Sequence, residues 1–266
     1  MKERPILFSG PMVRAILEGR KTVTRRAVKD QPRGLADIGS FGPGQPFIRR
    51  PEPTKRNLAC PYGRPGDRLW VRETWEDVHP AQVADGRYSQ LGRAGIPGPP
   101  AVTYRTIYRA EGPYPQVYQI DQPPYRALEP DPSSSRDWPA DNGWTGWTPS
   151  IHMPRWASRI LLEITAVRVE RLQDISEEQA VAEGCFFTDY GRRCGHGGKG
   201  WQEVGDCPAP EAHHPQNNGW MWDKTTSSDQ CLGSARWAFG NLWEKTGGDW
   251  DANPWVWVVE FKRVTP

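Results

Sequence analysis

Glycine and proline together make up about a fifth of this 266-residue chain, 27 of each, yet the same chain carries 14 tryptophans. The first fact limits regular structure, because proline lacks the amide donor and glycine loses the most backbone entropy on ordering. The second argues against disorder, since disordered chains are poor in aromatics. With a mean hydropathy of −0.74, the reading is a compact core enlarged by long Pro/Gly-rich insertions.

Four segments carry periodic structure, at 5–26, 65–75, 154–184 and 233–264. In the first, Ile6-Leu7-Phe8 predicts a short strand. Gly10-Pro11 then opens a helix with the stripe Met12, Val13, Ile16 and Leu17, and Gly19 ends it. The β-prone stretch Lys21 to Arg26 follows. In the second, Pro65-Gly66-Asp67 is a turn, and alternation after it puts Leu69, Val71 and Glu73 on one face. The third holds a long strand through Ile160–Thr165 and a helix that starts at Ser176, carries Gln179 as the partner of a capping box, and stops at Gly184. The fourth pairs a helix near Ser234–Thr246, with Ala238, Phe239, Leu242 and Trp243 inward, with a strand placing Trp255, Trp257, Val259 and Phe261 on one side. The insertions are 27–64, 76–150 (with a candidate hairpin near Val102–Tyr108) and 185–232. Mixed short strands and few helices predict a single α+β domain spanning 1–266.

The net charge of +2 hides an asymmetry: residues 1–75 carry 16 Lys and Arg against 7 Asp and Glu, so the remainder sums to −7. A basic amino-terminal third fits a phosphate-bearing partner; a solvated basic face is the equal alternative. The start of the sequence lacks the apolar core of a signal peptide, and no apolar run approaches the ~18 residues that span a bilayer. Five cysteines without a C-x-x-C pair predict reduced thiols. The expected setting is therefore cytoplasmic, with no membrane partner; protein partners are unspecified.

The four segments, in order, resemble the ASCH domain family. Ala15 to Arg26 looks like its helix and G-R-K-T-x-T-x-R signature. Gly66 to Val71 looks like its G-D-x-L-x-V strand, Leu172 to Gly184 like its strand-to-helix segment, and Trp257 to Phe261 like its closing strand. About 95 residues are covered. The enlarged layout also resembles family members found in phages and prophages. The resemblance implies a PUA-like small β-barrel with flanking helices, and recognition of nucleic acid or a modified nucleoside. In small members that deacylate N4-acetylcytidine, a Lys, a Thr and a Glu carry the reaction; here those positions are Lys21, Thr24 and Glu183.

Amide hydrolysis makes sense of these types. A Thr hydroxyl needs a base, and Lys serves as one only if its pKa falls from ~10.4 toward ~7–8. Burial and the charges of Arg20, Arg25 and Arg26 push that way. On a regular strand Lys21 and Thr24 would face opposite sides, so they converge only if Lys21 sits at the helix-to-strand joint. Arg20, Thr22, Arg25, Arg26, Arg72 and Trp70 are the candidate substrate contacts, with Trp75, Trp144 and Trp147 as further stacking candidates. Two other classes stay open: a non-catalytic RNA- or DNA-binding module, and a phage accessory protein with a vestigial pocket. No cofactor is implied. The third insertion concentrates Cys and His, but its spacing matches no standard zinc finger. Loosely packed side chains are expected there, and Cys194, His196, Cys207 and Cys231 are the ligand set if a metal is held.

Overall fold

A computed structural model describes residues 1–52, 54–78, 90–91, 103–111, 147–198 and 200–265. Eight elements build its frame: β1 (Glu3–Leu7), α1 (Gly10–Leu17), β2 (Val23–Ala27), β3 (Arg68–Arg72), β4 (Leu161–Arg171), α2 (Glu177–Ala182), α3 (Ala235–Lys245) and β5 (Trp255–Val264). The strands are hydrogen-bonded in the order β1-β3-β4-β5-β2. The architecture is mixed α and β, rich in strands and poor in helices.

Closing a barrel requires its first and last strands to pair. Here β1 and β2, consecutive in the chain with α1 between them, stand at opposite ends of the strand order. Among the described residues no sheet closes, so the small closed barrel expected above is replaced by an open five-stranded sheet.

The chain divides into two compact units. The first comprises Met1–Lys2, Ala15–Arg68 and Glu163–Arg263; the second comprises Glu3–Arg14, Leu69–Leu162 and Val264–Pro266. In the first unit β5 pairs antiparallel with β2, setting Val259 opposite Thr24 and Glu260 opposite Val23. All of Trp255 to Val259 is buried. The expected one-sided alternation of β5 is lost because an interior strand covered on both faces tolerates apolar residues at every position. Helix α3 buries Ala235, Ala238, Phe239 and Leu242, whereas Trp243 is only partly buried.

In the second unit Leu69, Val71 and Glu73 are buried on alternate positions, as the period-two pattern predicts. Glu73 sits inside because Arg159 grips both of its oxygens, at 2.9 and 3.0 Å. A small core of Trp75, Met153 and Ala157, with Tyr108 against it, completes that unit.

The insertions carry short strands of their own. Ile38–Ser40, Pro46–Ile48 and Leu58–Ala59 form one three-stranded sheet, and Trp75–Val78, Thr103–Tyr108 and Gln90–Leu91 form another. Val102 and Trp144 lie outside the described residues. In 185–232, Phe186–Phe187 pairs with Trp220–Met221 and Arg193–Cys194 with Gln202–Glu203. Among the described residues no helix is long and apolar enough to cross a membrane.

Candidate functional site

The joint between α1 and β2 positions the first functional side chain. Gly19, with φ 76°, turns the chain at the helix end, and the Lys21 amide donates back to the Ala15 carbonyl at 3.0 Å. Regular pairing starts only at Val23, so Lys21 precedes the strand alternation. Its side chain points inward and is completely buried.

Helix α2 brings the partner. Ser176 caps it, accepting from the Gln179 amide, while the Gln179 side chain accepts from the Ser176 amide. Glu183 is the carboxy-terminal cap residue, and Gly184, at φ 107°, breaks out of the helix. A side chain at Gly184 would begin 3.0 Å from the Ala15 Cβ and 3.4 Å from the Lys21 Cβ. Glycine here is what lets the two segments meet.

The result is a buried charge network in the first unit. Lys21 Nζ donates to Glu183 Oε2 at 2.5 Å and to the Glu183 carbonyl at 2.8 Å. Arg25 Nη1 donates to Glu183 Oε1 at 3.2 Å, and Arg25 Nη2 reaches Gln179 Oε1 at 2.8 Å and Glu170 Oε2 at 3.4 Å. The Lys21 and Arg25 side chains are 0% exposed and that of Glu183 is 2%. Burial lowers the Lys21 pKa below its ordinary value; the Glu183 carboxylate opposes this and Arg26 reinforces it. The neighbouring Cys185 thiol is pushed up to about 12, chiefly by burial, and is therefore a poor nucleophile.

Beside this network lies an open cavity of about 320 Å³, lined among others by Thr22, Thr165, Arg168, Gln179, Glu260 and Phe261. Gln179 belongs to both, with one amide joining the cavity wall to Arg25. Arg168 bridges Glu170 and Glu260 across it. Hydroxyl, amide, guanidinium and carboxylate groups thus face one space next to an aromatic ring.

The sequence candidates separate as follows. Lys21 and Glu183 come together, but sealed behind the cavity and not in its opening. Thr24 is buried on β2, and the hydroxyl that lines the cavity from this segment belongs to Thr22. Arg25 grips Glu183 with its side chain fully buried. Arg20 is partly exposed, donates to the Gly184 carbonyl at 2.6 Å and to Glu18, and stacks over Phe186 at 4.5 Å. Arg26 is partly buried, with Tyr62 and Glu183 acting on its charge. Trp70 and Arg72 lie in the second unit, where Arg72 stacks over Trp70 at 5.4 Å and donates to the Ile151 carbonyl. Trp75 and Trp147 are buried in that unit.

Sequence reasoning missed two residues of the buried network. Gln179 read only as a capping partner, although it stands one helical turn before Glu183 and so shares its face. Glu170 carried no signal. In the third insertion Cys194, His196 and Cys207 do converge, joined by His214. Cys231 lies elsewhere, with its sulfur 3.3 Å from Thr225 Oγ1 and 3.7 Å from the Ser227 carbonyl.

No family model, no curated protein and no solved structure matches this chain.

Proposed function

We propose that this chain is an ASCH-type, PUA-like module that recognises a modified nucleoside, free or within a nucleic acid, in the cavity beside the Lys21–Arg25–Glu183 network. The observation that carries the reading is the shared residue Gln179, which lines the cavity and is hydrogen-bonded to the buried network. A buried ion cluster is seldom more stabilising than apolar packing of the same volume, and perturbed titratable groups next to a cleft mark functional sites. The volume of about 320 Å³ falls at the lower end of small-ligand sites. The mixed donors and acceptors around it suit a heterocycle carrying an exocyclic amide and a ring carbonyl. The basic first 75 residues suit its phosphates.

The full burial of Lys21 and Thr24 favours binding without chemistry. Titration of the full chain with N4-acetylcytidine, with cytidine, and with a short RNA containing one acetylated cytidine tests the proposal. Saturable binding of the acetylated forms is expected, with the RNA showing an affinity that falls steeply with salt. Failure to bind any of the three would sink it.

Hydrolysis of the N4-acyl group is the second reading, and the lowered Lys21 pKa favours it. An amine that sheds its proton more readily than an ordinary lysine is the type of group that would serve as base for the Thr24 hydroxyl. Release of acetate and cytidine, abolished in Thr24→Ala, would separate this reading from binding alone.

A further inference from the structure

The third insertion lacks a core of its own. Among the described residues from 191 to 216, the only buried ones are Cys194 and His214. Both are metal-ligand types. Ordering some two dozen residues, at about 1–2 kcal/mol each in backbone entropy, needs something in place of the missing apolar contacts.

The same stretch gathers Cys194, His196, Cys207 and His214 so that one ligand atom from each lies within 4.8 Å of all the others. Three local turns present them. Cys194 ends the strand Arg193–Cys194, and His196 follows in the turn after it, where strand alternation has ceased. Cys207 sits in a turn closed by its amide on the Val204 carbonyl. His214 caps the single 3₁₀ turn Glu211–His213.

We propose that these four side chains form a structural zinc site of the Cys2His2 class. Zn–S bonds of about 2.3 Å and Zn–N bonds of about 2.0–2.1 Å in a tetrahedron put neighbouring S and N ligands roughly 3.5 Å apart. His196 Nδ1 lies 3.4 Å from Cys194 Sγ and 3.8 Å from Cys207 Sγ, the spacing of two edges of that tetrahedron. A second, independent observation is His214. It is 6% exposed, and its buried Nε2 has no hydrogen-bond partner among the described residues, an arrangement that is costly unless something occupies the space. A third is orientation. His196 Nε2 lies 2.9 Å from His213 Nδ1, so a metal on Nδ1 leaves the other ring nitrogen to donate outward, the usual support of a zinc-bound imidazole. Sulfur and imidazole in a tetrahedral set select zinc over the hard cations. Both thiols bind as thiolates and release their protons to solvent.

The test uses the full chain, freed of any affinity tag and purified reduced without chelator. Elemental analysis is expected to give about one zinc per chain, and replacement by Co(II) to give the intense visible bands of a tetrahedral site with thiolate-to-cobalt charge transfer. Cys207→Ser should lose the metal, Cys231→Ser should keep it, and His213→Ala should keep the stoichiometry while weakening affinity about 10- to 100-fold. The proposal is overturned if reduced wild-type protein takes up neither zinc nor Co(II), or if its Co(II) spectrum is octahedral and lacks the thiolate bands. It is equally overturned if Cys231→Ser loses metal as completely as Cys207→Ser, or if Cys194 and Cys207 prove to be joined as a disulfide in the native protein. The Co(II) spectrum of the wild type decides the matter even where a ligand variant fails to fold.

Discussion

Lys21 holds Glu183 twice, through the carboxylate at 2.5 Å and through the main-chain carbonyl at 2.8 Å. One ammonium thereby satisfies a side chain and the end of a helix whose last carbonyls lack intrahelical partners. The two residues come from segments 162 positions apart, so their contact is formed only when the joint after α1 and the end of α2 are both in place.

Removing the two partners should have unequal effects. Lys21→Met leaves Glu183 still paired with Arg25, whereas Glu183→Leu takes the carboxylate from Lys21 and Arg25 at once, with Lys21 keeping its bond to the main-chain carbonyl. Breaking a buried pair costs about 3–5 kcal/mol when the surviving charge is left uncompensated; because Lys21 keeps the Glu183 main-chain carbonyl, Glu183→Leu belongs at or below the foot of that range, and Lys21→Met lower still. The double variant should be less destabilised than the sum of the singles. Urea unfolding of all four proteins measures the coupling; simple additivity would mean that the contact contributes nothing specific.

The depressed Lys21 pKa fixes a pH dependence opposite in sign to that of an ordinary paired lysine. Between its lowered folded value and the ordinary 10.5, the unfolded chain binds more protons than the folded one, so stability rises with pH across that window. Below the folded value both states are protonated and the cost of holding the charged amine is present in full. The stability of wild type relative to Lys21→Met should therefore improve as pH rises through that window toward 10.5. A flat difference would show that Glu183 fully compensates burial.

Much of the frame was legible because it follows from local rules. The capping box at Ser176, the stop at Gly184 and the alternation of Leu69, Val71 and Glu73 are written in spacing alone. The meeting of Lys21 with Glu183 was legible only through resemblance, since nothing local to either residue specifies the other. What escaped was long-range: that Arg25 would turn inward onto Glu183, and that the sheet would remain open with β1 and β2 at its ends. In the third insertion Cys and His were visible as types, but the turn after Cys194 that aims His196, and the burial of His214, were not. Turns of one or two residues in a Gly-rich segment leave no periodic trace.

Gly184 should be intolerant of any side chain. Its φ of 107° lies where only glycine is relaxed, and an added Cβ would press against Ala15 at 3.0 Å. Strain of this kind costs about 1–3 kcal/mol. The Gly184 carbonyl also accepts from Arg20, so a shift of the turn would be felt there too. A Gly184→Ala variant should unfold at lower urea with an unchanged m-value; an unchanged midpoint would mean that the α1–α2 contact is looser than described.

Blocking the cavity separates the proposed ligand site from the buried network behind it. Thr165 is exposed on β4 and lines the cavity, whereas Lys21, Arg25 and Glu183 do not, so Thr165→Trp fills the cavity while leaving the network's own residues unchanged. A solvated surface substitution of this kind should leave stability within about 0.5 kcal/mol. Binding of N4-acetylcytidine should fall by at least about tenfold, since that corresponds to the loss of only about 1.4 kcal/mol. Thr22→Ala, which removes one hydroxyl from the same wall, should weaken binding by a smaller factor without altering the pH dependence assigned to Lys21. Calorimetric titration of both variants against wild type reads these differences directly. If Thr165→Trp folds and binds the acetylated nucleoside as tightly as wild type, the ligand does not occupy this cavity, whatever the Lys21–Glu183 pair contributes to the fold.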